Sequence, residues 1–326
     1  MKPRVFVSRN IPDKGLDLMK EKVSLEVWPG ADSPCRDVFL EKAAVCDGLV
    51  VIPGDPIDRG VLAAGKSLRI ISCYAVGYDS IDVNAATELG IMVTNTPDVL
   101  TETTADLAFG LLLAAARRIG EGDRVIRSGG WKHWGPQFML GRDVSGATLG
   151  LIGMGRIGQA VCRRAKSFGM NLLYFARHRN EIAEGEYGAR FMEMEALLAV
   201  SDFVSLHCPL TSSTEGLIGE RQLRAMKSSS ILINTSRGRV VVEEELVRAL
   251  QEGWISGAGL DVFEKEPLPP GHPFLGMGNV VLCPHLGSAT VQTREKMSVM
   301  AAESLLAALE GHTPRFLVNP AVCRKA

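Results

Sequence analysis

A chain of 326 residues, 46% of them apolar, has material for more than one buried core, so its length points to two domains rather than one small module. A formal net charge of -1 leaves no overall positive field for nucleic acid or an anionic membrane, which places the ligand in a pocket. The seven cysteines are scattered, with no Cys-x-x-Cys pair and no zinc-finger spacing, as expected in a reducing cytosol. The apolar run before Ser8 is too short for a signal-peptide core, and the most apolar helical stretch, 107–116, falls short of the ~20 residues of a membrane span.

Short apolar runs at 5–7, 49–52, 68–73 and 91–95 alternate with amphipathic or turn-rich stretches and predict a parallel α/β unit. Within it, 79–89 predicts a helix closed by Gly90. Leu107, Leu111, Ala115 and Ile119 recur at helical spacing in a proline-free stretch, which predicts one long helix over 101–128, able to pass between domains. Next comes Gly129-Gly130-Trp131-Lys132-His133-Trp134-Gly135-Pro136, where glycine and proline exclude regular structure. Its two tryptophans suit an arm that docks on its own domain or on another subunit.

A second α/β series follows, with six strands expected near 148–152, 172–175, 203–207, 230–234, 257–261 and 280–282, enough for a doubly wound sheet. The stretch 291–309 predicts a helix, and its return to the first domain would make that domain discontinuous. The expected division is therefore 1–99 with 288–326 as one discontinuous domain, and 100–287 as the other.

Gly153-Met154-Gly155-Arg156-Ile157-Gly158 follows an apolar strand and opens a helix. In that setting the first glycine permits the turn, the second admits a pyrophosphate, and the third allows close helix packing. Backbone N–H groups at the helix start then face the phosphates. At the end of the next strand, where an NAD-preferring fold places an acid for the ribose 2′-hydroxyl, the chain reads Ala176-Arg177-His178-Arg179. Two arginines and no carboxylate favour the 2′-phosphate of NADP(H), with NAD(H) the alternative.

Three later strand ends carry polar residues, and strand ends are where open α/β sheets bind ligands. Arg237 follows Asn234-Thr235-Ser236 and can clamp a carboxylate and polarise the adjacent carbonyl. Asp261 ends the next strand, with Glu264 and Glu266 just beyond it, and His285 follows Cys283-Pro284 after the last. Either glutamate can pair with His285, and spacing does not choose between them. His207, His272 and His312 are expected to be ordinary packed or surface residues.

These segments, with Ala75-Val76-Gly77-Tyr78-Asp79 and Pro284-His285-Leu286-Gly287-Ser288-Ala289-Thr290, resemble the D-2-hydroxyacid dehydrogenases over nearly the whole chain, and within them the glyoxylate and hydroxypyruvate reductases. The resemblance implies two Rossmann-like doubly wound domains, the NAD(P)-binding domain inserted in a flavodoxin-like substrate domain, and a homodimer. It implies Arg237 as carboxylate clamp, His285 as acid/base, Glu266 as its partner and Asp261 as anchor of the nicotinamide amide. Val76, Gly77 and Ser288 would contact substrate, and Thr104, Pro209, Thr235, Ser236 and Gly287 would contact cofactor. Trp134 would reach the partner subunit's active site.

The mechanism expected is hydride transfer to the keto carbon while protonated His285 gives a proton to the carbonyl oxygen. Formate dehydrogenases of this family replace the acid that pairs with histidine by an amide, and Glu266 argues against them. Phosphoglycerate dehydrogenase is the alternative within the family, although many of those enzymes carry a further regulatory domain. A dinucleotide-sensing corepressor of the same fold is the alternative outside catalysis, and the lack of a long polar tail counts against it.

Overall fold

A computed structural model describes residues 2–324, with the side chain of Arg324 excluded, so Met1 and residues 325–326 of the expected substrate domain lie outside the described residues. The chain divides into two compact units, Met1–Leu100 with Ala289–Ala326, and Thr101–Ser288. No helix among the described residues is long and apolar enough to cross a membrane.

The first unit runs β1 (Arg4–Val7), α1 (Asp13–Lys22), β2 (Ser24–Val27), α2 (Arg36–Val45), β3 (Gly48–Val51), α3 (Arg59–Ala64), β4 (Ile70–Cys73), α4 (Val83–Glu88) and β5 (Met92–Thr94). Its five strands are parallel in the order β2-β1-β3-β4-β5, the flavodoxin-like order. Strands β3 and β4 are buried at every residue, as expected of a sheet covered on both faces. β2 has no counterpart in the sequence reading, because Ser24–Val27 is a half-exposed edge strand with too little apolar content to register. Helix α4 starts later than expected. The Asp82 carboxylate accepts the Ala85 N–H and fixes the helix start there, while Gly90, at φ 76, ends the segment.

The second unit runs α5 (Thr101–Ala116), α6 (Ile119–Arg127), β6 (Thr148–Ile152), α7 (Arg156–Ser167), β7 (Asn171–Phe175), α8 (Glu181–Tyr187), β8 (Arg190–Phe191), α9 (Met194–Val200), β9 (Phe203–Leu206), α10 (Glu220–Ala225), β10 (Ile231–Asn234), α11 (Glu243–Gln251), β11 (Gly257–Leu260) and β12 (Val280–Leu282). The single long helix expected over 101–128 is in fact two. Arg118 takes a left-handed backbone, φ 54, while its guanidinium holds Glu121 bidentately. The returning chain occupies the end of α5: Arg142 N–H donates to the Ala116 carbonyl, and Gly141 lies so close that a Cβ there would sit 2.5 Å from the same oxygen. Apolar spacing continued through this break because Ile119 falls in helical register without being buried.

The second sheet has seven parallel strands, in the order β12-β11-β10-β9-β6-β7-β8, where six were expected. The additional strand, β8, is a two-residue edge strand paired to β7. Counted within the unit the order is 3-2-1-4-5-6-7, the doubly wound arrangement whose direction reverses between β6 and β9. One apolar cluster joins α5 and α7 to a sheet face through Leu111, Leu112, Leu149 and Ile233. The other joins the opposite face to α9, α10 and α11 through Leu197, Leu223, Leu246 and Leu232. α12 (Val291–Leu309) returns to the first unit, where it packs on α1 and β4 and buries Met297, Ala301 and Leu305.

Candidate active site

Three neighbouring strands, β10, β11 and β12, end on the same edge of the second sheet, and the three reactive side chains follow those ends directly. After β10, Asn234 builds the turn: its side-chain amide donates to the Arg237 carbonyl at 2.9 Å, and its oxygen accepts the Ser236 N–H and hydroxyl. Gly238 is required at the next position, since a Cβ there would lie 1.8 Å from the Phe263 carbonyl carbon. This close passage brings Arg237 to the segment that carries Glu266. The Arg237 guanidinium, half-buried, donates to the Ser236 carbonyl and lies near enough to Glu266 to favour its ionised form.

Glu266 Oε2 is 2.6 Å from His285 Nδ1, and Glu266 Oε1 accepts the Phe263 N–H at 3.0 Å. Glu264, the other acid considered, is exposed, and its backbone N–H is bound to Glu243. Burial pushes the Glu266 carboxyl up, but the hydrogen bond and charge of His285, the Phe263 N–H and Arg237 outweigh it and hold it below the usual carboxylate range. The ionised acid therefore fixes one imidazole nitrogen and leaves the other, Nε2, for proton exchange. Both side chains remain 36% exposed, enough for solvent and substrate to reach them.

His285 is held by Asp261. The Asp261 carbonyl accepts the His285 N–H at 2.9 Å, and its carboxylate accepts the N–H groups of Leu286 and Gly287 at 2.6 and 2.8 Å. Burial raises the Asp261 carboxyl above its ordinary value, against the pull of these two N–H groups and of His285. The loop so braced has His285 at φ 55, in the left-handed region. Thr104 of α5 closes it by donating to the Gly287 carbonyl at 3.0 Å.

The glycine-rich turn lies at the switch in strand order, between the ends of β6 and β9. Gly153, at φ 98, passes so close to β9 that a Cβ would sit 2.6 Å from the His207 carbonyl carbon. Gly158 approaches the Gly153 carbonyl, whereas the space around Gly155 is open. Gly155 gives α7 no side-chain cap, so N–H groups at the start of this helix are available to an anion. These are the features a dinucleotide pyrophosphate requires. Met154 is buried beneath the turn, Arg156 is exposed, and Ile157 packs on the core. His207, half-buried below the turn, pairs with Ser205 at 2.9 Å, and desolvation pushes its imidazole down to about 4, so it is neutral.

At the end of β7, Ala176 is half-buried, and Arg177, His178 and Arg179 are exposed. Arg179 is bound bidentately to Glu184, whereas no hydrogen bond or ion pair holds Arg177 among the described residues. Asn180, absent from the sequence reading, ties the turn to the glycine-rich loop through its side-chain amide and the Met154 carbonyl, 2.9 Å apart. Its side-chain oxygen also caps α8, and an Asn immediately before a helical stretch was the signal that could have found it. Pro209 is exposed after β9, and Thr235 is buried with its hydroxyl unpartnered. In the first unit, the Val76 carbonyl accepts from Asn95, while the N–H groups of Val76 and Gly77 donate to nothing among the described residues. No cluster of three or more potential metal ligands occurs among the described residues.

Residues 109–287 match the family model described as D-isomer specific 2-hydroxyacid dehydrogenase, NAD binding domain. A glyoxylate reductase of Korarchaeum cryptofilum is 55% identical over 325 residues, covering 99% of this chain and 98% of the relative. The chain belongs to the D-isomer-specific 2-hydroxyacid dehydrogenases. Among solved structures of the same fold, a Thermus thermophilus protein superposes with a TM-score of 0.91 at 48% identity, over 97% of this chain and 99% of the other. An NADPH-dependent glyoxylate/hydroxypyruvate reductase of Sinorhizobium meliloti, solved with NADP and malonate, gives 0.87 at 35% identity, over 99% and 98%. As a 2-hydroxyacid dehydrogenase this chain is an NAD(P)-dependent oxidoreductase, and its glycine-rich turn falls inside the matched NAD-binding domain.

Proposed function

We propose that this dehydrogenase reduces glyoxylate and hydroxypyruvate to glycolate and D-glycerate, with NADPH favoured over NADH. The observation that carries the chemistry is the Glu266 to His285 contact of 2.6 Å beside Arg237. The full-length relatives named glyoxylate reductase support the choice of substrate, and the unpaired Arg177 supports the choice of cofactor.

When bound, the nicotinamide supplies the hydride. The Arg237 guanidinium takes the substrate carboxylate and polarises the neighbouring carbonyl. Protonated His285 delivers the Nε2 proton to the carbonyl oxygen as the keto carbon is reduced, and in the reverse direction neutral His285 accepts that proton. Glu266, kept ionised, stabilises the charged imidazole and fixes its orientation. Thr104, Thr235, Ser236, Pro209, Asp261 and Gly287 would contact the cofactor, and Ser288 the substrate. The roles that the resemblance gives to Val76, Gly77 and the first unit as a substrate domain belong to this same proposal.

Initial rates of NADPH and NADH oxidation with glyoxylate, hydroxypyruvate, pyruvate and 3-phosphohydroxypyruvate test this reading. Fast NADPH oxidation with the first two is expected. A preference for NADH with the phosphorylated acid would overturn both substrate and cofactor.

We also propose a homodimer in which Trp134 reaches the partner subunit. Helix α6 buries none of its residues, and Ile119, Ile126, Trp131, Trp134, Phe138 and Leu140 are all exposed, an apolar surface of the kind that marks association. Sedimentation should give a dimer, and a monomer at assay concentration would exclude the role of Trp134.

A further inference from the structure

We infer that Glu184 sets the balance between NADPH and NADH by competing with the cofactor's 2′-phosphate for Arg179. The inference rests on the reading that the turn after β7 receives that phosphate.

The turn has a fixed end and a movable end. Asn180 is fixed: its side chain is bound to the Met154 carbonyl and the Ala183 N–H, and its backbone N–H donates to the Tyr174 hydroxyl at 2.8 Å. Tyr174, fully buried, in turn donates to Glu184 Oε1 at 2.5 Å. Glu184 is thereby anchored from the core. Arg179 is not anchored in this way. Its side chain is 69% exposed and is held by two hydrogen bonds to Glu184, Nε to Oε1 at 3.0 Å and Nη2 to Oε2 at 2.7 Å, with the Tyr174 side chain beside it. The hydrogen bonds from Arg179 and Tyr174 hold the Glu184 carboxyl below the usual carboxylate range, so it is charged throughout the neutral range.

An exposed ion pair of this kind is weak. A ribose 2′-phosphate carries more charge than a carboxylate and offers three acceptor oxygens. On its arrival Arg179 leaves Glu184, and the two hydrogen bonds it gives that carboxylate are the cost of binding the phosphate. With NADH no 2′-phosphate arrives, Arg179 remains where it is, and nothing is lost. Glu184 therefore acts against NADPH alone, while Arg177 attracts it without a competitor. Glutamine at 184 keeps an acceptor for the Tyr174 hydroxyl and removes the charge.

The test compares KM and kcat for NADPH and NADH, with glyoxylate as substrate, in the wild type, Glu184→Gln, Arg179→Ala, the double variant and Arg177→Ala. Glu184→Gln should lower KM for NADPH by about 2- to 5-fold, leaving KM for NADH and both kcat values in place. In the Arg179→Ala background the same change should have no effect. A rise in KM for NADPH would mean that Glu184 orients Arg179 instead, and an equal fall without Arg179 would mean that it acts through space; either overturns the inference, as does no change at all. If Arg177→Ala leaves the NADPH to NADH ratio untouched, the phosphate site itself is misplaced and the inference falls with it. If Arg177→Ala raises KM for NADPH while Glu184→Gln does nothing, the inference alone fails.

Discussion

Two stretches along one edge of the second sheet are built by opposite means. At the ends of β10, β11 and β12 the reactive groups are placed by buried polar side chains: Asn234 and Asp261, each 1% exposed, spend their hydrogen bonds on the backbone that carries Arg237 and His285. At the end of β7 the arginines are exposed, and the strongest restraint on Arg179 is a surface ion pair with Glu184. A buried acceptor facing a backbone N–H has no substitute when removed, whereas an exposed pair trades places with water. On the proposed reading the chemistry sits on a backbone braced by buried side chains, and the choice of cofactor on exposed side chains whose change leaves that backbone in place.

The comparison breaks first at Asp261. Asp261→Ala strips two N–H groups of their acceptor and should cost about 2–4 kcal/mol in stability. Displacement of the His285 loop should lower kcat by about 100-fold. Thermal unfolding and steady-state kinetics on the same preparation check both, and a variant with normal kcat would show that the loop does not depend on its buried brace.

Glu266→Gln comes next. The amide can still contact His285 but no longer favours the charged ring, so the alkaline limb of the reduction profile should move to lower pH. The sign follows from the chemistry: reduction needs the protonated imidazole, and the charge that stabilises it is gone. A pH–rate profile that superposes on the wild type would take the role away from Glu266. The depressed Glu266 carboxyl also means that the pairing favours the fold above the ordinary carboxylate range and is lost as pH falls through the folded value. The smallest effect expected is the few-fold change in KM for NADPH at Glu184, which would sharpen the contrast by showing cofactor choice altered with kcat intact.

What could be read from the sequence follows the same division. Arg237, Asp261, Glu266 and His285 stand out because each follows a short apolar run at the edge where parallel sheets bind ligands, so position and residue type point the same way. The glycine-rich turn is legible for the same reason. Glu184 and Tyr174 are not, since their meeting depends on the angle at which α8 leaves Asn180, which no periodicity records. In the fold, the strands buried on both faces announce themselves, whereas β2 and β8 lie at sheet edges and carry little apolar signal. The break between α5 and α6 is invisible because it is imposed by residues 141–142 returning to Ala116, a contact distant in sequence.

The left-handed backbone at His285 acts as a filter on what could ever replace it. At φ 55, β-branched side chains are excluded and asparagine, aspartate and histidine are the non-glycine residues best tolerated. Of these, asparagine cannot carry the proton, and aspartate would set a second carboxylate against Glu266. Histidine alone satisfies the backbone, the neighbour and the proposed proton transfer, so on that proposal the conformation of one residue narrows the chemistry open to the enzyme as firmly as the shape of its substrate does.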